Sequence, residues 1–109
     1  MAKKINIEFE GVEYTLEFTR KSIEIMERQG FVARDIGTRP MSTLPSLFAG
    51  AFLAHHRFVK KEIIDTIFSK LTNKDELVEK LAEMYNEPLE TLMSDPEESE
   101  GNLNWGASW

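Results

Sequence analysis

The chain of 109 residues contains no cysteine, which excludes disulfide staples and thiol chemistry and fits a reducing, cytosolic setting. Its amino terminus, MAKKINIEF, lacks an apolar run of signal-peptide length. The longest apolar stretch, residues 44–59, falls short of the ~20 residues a membrane span needs. A G-x-S-x-G elbow, a phosphate-binding Walker loop and a dinucleotide glycine motif are all missing. His55 and His56 are adjacent, so on a helix they point ~100° apart and cannot share a metal. Asp75, Glu76, Glu79, Glu83 and Glu87 have helical spacing, but no second carboxylate or histidine cluster answers them, so they read as a solvated face. No catalytic residue, metal site or cofactor is expected, and no internal repeat is visible.

What remains has the size and composition of one small soluble intracellular domain, with 41% hydrophobic and 29% charged residues. The net charge of −6 is unevenly spread. Residues 20–61 carry eight bases against three acids, and residues 62–109 three bases against twelve acids. Such an acidic chain is a poor binder of nucleic acid. The basic middle, with Arg20, Lys21, Arg28, Arg34 and Arg39, reads as a solvated face, and head-to-tail pairing of opposite charges between copies stays open.

Secondary-structure signals predict an α+β, mainly α fold: an N-terminal hairpin and then a bundle of four to five helices in a single globular domain, residues 1–94. Ile5, Ile7 and Phe9 alternate with polar residues, as do Val12, Tyr14, Leu16 and Phe18, which predicts a β-hairpin over 4–18. A two-residue Glu10-Gly11 loop pairs Phe9 with Val12, Ile7 with Tyr14 and Ile5 with Leu16 on one face. Glu8 then opposes Glu13 on the wet face, and the free edges need helices or another chain. Thr19 is placed to cap a helix over 20–29, with Gly30 ending it and Phe31 packing back.

Residues 31–42 read as a connecting loop. The most apolar segment predicts a helix over 44–58, capped by Thr43 with Pro45 in its first turn, and buried nearly all round. Further helices are expected over 60–71, 74–86 and 88–94, with Asn73 and Glu76 approximating a capping box and Pro88 interrupting the last two. Residues 95–109 have the composition of a flexible acidic tail, ending in Leu103, Trp105 and Trp109. Both tryptophans lie there, either folding back onto the domain or anchoring a partner.

INIEFEGVEYTLEFTRKSIEIMERQGF, AGAFLAHHRF, IFSKLTNKDELVEKLAEMYNEP and the closing DPEESEGNLNW together resemble a family of small proteins from tailed phages and prophages of Gram-positive bacteria, similar to tail assembly chaperones. The resemblance implies a host-cytoplasmic helical protein that escorts the tape measure protein, recruits major tail tube protein subunits and leaves before the virion is complete. It also implies that a longer frameshifted form exists. On that basis Phe31, Val32 and Ile36 are candidate contacts for the tape measure protein, and Leu103, Trp105 and Trp109 for the tube subunit or a neighbouring copy. Two alternatives stay open: a structural virion component at the head–tail junction or tail, and an acidic regulator of a nucleic-acid-binding protein.

Overall fold

The computed structural model describes residues 3–94 and 106–108. The N-terminal alternation folds as expected, into antiparallel strands β1 (Ile5–Phe9) and β2 (Val12–Leu16). Ile5 faces Leu16, Ile7 faces Tyr14, Phe9 faces Val12, and Glu8 opposes Glu13. Glu10 and Gly11 both hold positive φ, 51° and 81°, the geometry whose twist matches a two-residue hairpin loop. Burial on the apolar face deepens away from the turn: Val12 is exposed, whereas Tyr14, Leu16 and Phe18 are buried.

Helix α1 (Arg20–Arg28) starts at a complete capping box: the Thr19 hydroxyl accepts from the Ser22 amide at 3.0 Å, and the Thr19 amide donates to the Ser22 hydroxyl at 2.9 Å. It ends in a Schellman motif. Gly30, at φ 93°, donates to the Glu27 carbonyl, and Phe31 donates to the Met26 carbonyl. Phe31 then packs back against Tyr85, ring centres 5.5 Å apart.

Residues 31–42 are more ordered than a loop, because Ala33–Ile36 form a 3-10 turn and helix α2 (Pro40–Gly50) already begins at Pro40. The expected helix over 44–58 is thus corrected at both ends. Pro40, not Leu44, opens the helix, since a proline needs no amide partner at the first position. Thr43 is consequently buried inside the helix rather than capping it.

The far end stops at Gly50 for a tertiary reason. The Ala51 carbonyl accepts from the Glu17 amide at 3.0 Å, and the amides of Phe52 and Leu53 bond three residues back. The chain therefore tightens into turns through His55. Phe58, the last residue of the segment expected to be a helix buried nearly all round, is 93% exposed as a result.

Helix α3 (Lys61–Lys70) lies within a residue of its expected limits at each end. Asn73 adopts a left-handed conformation at φ 54°, and its side chain bonds the Glu76 carboxylate instead of capping an amide. Helix α4 (Lys74–Met93) is one continuous helix where 74–86 and 88–94 were expected. Pro88 removes only the amide that would bond the Met84 carbonyl. Leu81 and Met84 anchor that turn in the core, so the helix carries the loss.

The core joins β2 and all four helices: Leu16 from β2, Met26 from α1, Leu47 and Phe48 from α2, Phe52 from the following turns, Ile67 from α3 and Leu81 from α4, each at or under 2% exposed. Phe48 stacks against both Phe52 and Phe68, at 5.2 and 4.9 Å between ring centres. Among the described residues no helix is long and apolar enough to cross a membrane.

Candidate functional site

One side of residues 40–59 is sealed. The Glu17 amide reaches Ala51, the Thr15 amide donates to His56 Nε2 at 2.9 Å, and the Glu17 carboxylate meets His55 Nε2 at 2.6 Å. Accepting at Nε2 fixes His56 as the neutral tautomer with its proton on Nδ1. Both histidines are thus fasteners between the hairpin and the turns after α2. His55 is exposed and His56 half-buried. On the same side Gly50 lies so close to α1 that a Cβ would overlap the Met26 thioether.

The other side is open. Between α2 and α3 runs a trough of about 780 Å³. Pro45, Ala49 and Leu53 form one wall, and Val59, Ile64 and Phe68 the other. Pro45 also removes the amide that would bond the Met41 carbonyl within the helix. Met41 stands on the rim at 90% exposure. Arg57, Lys61 and Asp65 rim one part of the trough, and Gln29, Ser42 and Ser46 another. The charged rim is thus net basic, with an apolar floor, a combination suited to apolar side chains flanked by acids.

Phe31 and Val32 line a smaller depression of about 270 Å³, which shares Gln29, Ser42 and Ser46 with the trough. The structure therefore brings these two expected contact residues beside the trough. Phe31 is half-buried and Val32 is 40% exposed. Ile36 lines neither space and packs against the core instead. Leu103, Trp105 and Trp109 lie outside the described residues, as does nearly all of the expected tail at 95–109.

The trough walls themselves escaped sequence reasoning, since an all-round apolar segment predicts full burial. The available signal was Met41, an apolar residue immediately after the helix-opening Pro40.

A further depression of about 230 Å³ lies between α1 and α4, lined by Ile23, Tyr85, Pro88, Leu89 and Leu92. Burial raises the Tyr85 phenol above its ordinary value, and the nearby Glu27 carboxylate adds to the effect. Leu89, Leu92 and Met93 remain largely exposed at this end of α4. Among the described residues no three His, Asp or Glu side chains gather closely enough to hold a metal ion.

Hairpin, four helices and an open apolar trough make up this α+β domain. The chain belongs to the family described as a domain of unknown function, DUF5055, whose pattern matches residues 1–109. No curated protein and no solved structure matches it.

Proposed function

We propose that the protein is a non-enzymatic chaperone of phage tail assembly, which binds the tape measure protein in the host cytoplasm and recruits major tail tube protein subunits to it. The observation that carries this reading is the open trough between α2 and α3. Tape measure proteins are long and largely helical, and an amphipathic helix docks by laying apolar residues at i, i+3, i+4 and i+7 into such a groove. The basic rim favours a client helix with acidic flanks. Phe31 and Val32 extend the contact across Ser42 and Ser46. Ile36, packed on the core, supports the surface without forming it. Leu103, Trp105 and Trp109 engage the tube subunit, a role that rests on their sequence context alone.

Co-expression with the tape measure protein tests the reading. Solubility and co-purification of the client are expected with the wild-type chain and lost with Ser46→Arg, which places a bulky cation in the trough from an exposed position. An equally soluble client with Ser46→Arg removes the trough from the mechanism. Purified virions are expected to lack the protein, and its retention there would make it a structural component instead.

A further inference from the structure

The hairpin has two outer edges with different fates. On β2 the amides of Thr15 and Glu17 point away from β1, and both are used: Thr15 donates to His56 Nε2 and Glu17 to the Ala51 carbonyl. By the register, Lys4, Asn6 and Glu8 stand opposite Glu17, Thr15 and Glu13, so their backbone groups point outward on the β1 side. All three residues are exposed, and among the described residues nothing hydrogen-bonds to the amides of Asn6 or Glu8. An open edge of this kind is a template for another strand.

The sequence of β1 says which strand fits. Lys4-Ile5-Asn6-Ile7-Glu8 is complementary to itself when reversed. Centred on Asn6, an antiparallel copy sets Lys4 against Glu8 of the second copy, Asn6 against Asn6, and Ile5 against Ile7. The charged pairs fall on the wet face and the isoleucine pairs on the apolar face, as the alternation of a strand requires. Asn6 and its counterpart form a closely spaced pair exchanging two backbone hydrogen bonds at the two-fold axis.

The pairing also supplies what β1 lacks in the monomer. Glu8 faces a like charge at Glu13 within its own hairpin, and the lysine of the second copy answers it. Lys4 lies 4.0 Å from Glu17 with half of its side chain exposed, so it is free to bridge both carboxylates. Ile5 and Ile7, only half-buried, each gain a cross-strand partner. Shifting the register by two residues in either direction keeps the faces but breaks both Lys4–Glu8 pairs. We infer that two copies of this chain associate through β1 to form a continuous four-stranded antiparallel sheet. No residue of β1 lines the α2–α3 trough, so this association and client binding succeed or fail independently.

Sedimentation of the full chain over a range of concentrations tests the inference, with a reversible monomer–dimer equilibrium expected. Asn6→Pro removes the outward amide without touching a β1–β2 ladder bond, because Asn6 and Thr15 form a pair that does not exchange backbone bonds. It is expected to weaken the dimer at least ~10-fold, having deleted two intermolecular hydrogen bonds.

Lys4→Glu and Glu8→Lys should each weaken it as well, and an equimolar mixture of the two single variants should recover it, since opposite charges meet again only across the interface. That recovery reads the interface even if Asn6→Pro fails to fold. A chain that stays monomeric, or a dimer indifferent to these changes, overturns the inference. So does a dimer lost on removal of residues 95–109 and unaffected by the charge variants, which would make the tail the associating segment.

Discussion

The two sides of residues 40–59 solve opposite problems. Toward the hairpin and α1, every available group is committed: the Ala51 carbonyl, both histidines, and the missing side chain of Gly50 under Met26. Toward α3, apolar side chains line an open trough with Met41 unpartnered on its rim among the described residues. Stability and availability thus share one segment, and Gly50, Phe52 and His56 take part in both, since they also line the trough. The sealed side positions the open side, so substitutions on the first should cost folding and those on the second should cost binding.

The largest loss is expected where the two sides meet. Phe48 is fully buried between Phe52 and Phe68, and Phe48→Ala should destabilise the fold by about 3–5 kcal/mol in urea unfolding. Gly50→Ala forces a methyl group against the Met26 thioether, the end of a flexible but buried side chain that must shift to make room. A cost of about 1 kcal/mol is expected from that overpacking, and a double-mutant cycle with Met26→Ala should show the two positions coupled.

His56→Ala deprives the Thr15 amide of its acceptor, which should cost about 1 kcal/mol and speed exchange of that amide in solution.

Smaller still is the alkaline response. Because the Tyr85 phenol is raised above its ordinary 10.0, the unfolded chain loses this proton first as pH rises. Its stabilising contribution is therefore intact below about pH 10 and declines as pH climbs from there through the folded value. Tyr85→Phe should abolish that part of the alkaline decline. Met41→Glu, on the open side, should change stability by less than about 0.5 kcal/mol while abolishing retention of the tape measure protein on the immobilised chain.

Local chemistry was legible in the sequence where local chemistry decides. The Glu10-Gly11 turn and strict alternation determined the hairpin register pair by pair, and Thr19 and Gly30 bounded α1. The ends of α2 were not legible for two reasons. Pro40 and Pro45 both satisfy a first helical turn, and the stop at Gly50 depends on the amide of Glu17, over thirty residues earlier in the chain. Pro88 misled in the opposite direction, because Leu81 and Met84 hold α4 together across it. The trough was illegible because it belongs to no single element: α2 alone reads as buried all round, and only the placement of α3 leaves one flank uncovered. Phe31 and Val32 came out beside it, whereas Ile36 reads alike as contact or core until the 3-10 turn packs it inward.

Methionine methyl groups offer the most direct test of the trough, since Met41 and Met93 are both exposed but stand at different apolar surfaces. The chain, labelled at its methionine methyls and titrated with helical segments of the tape measure protein, should show the Met41 resonance shifting and broadening while Met93 stays in place. Movement of Met93 with Met41 unchanged would put the client at the end of α4 and contradict binding between α2 and α3.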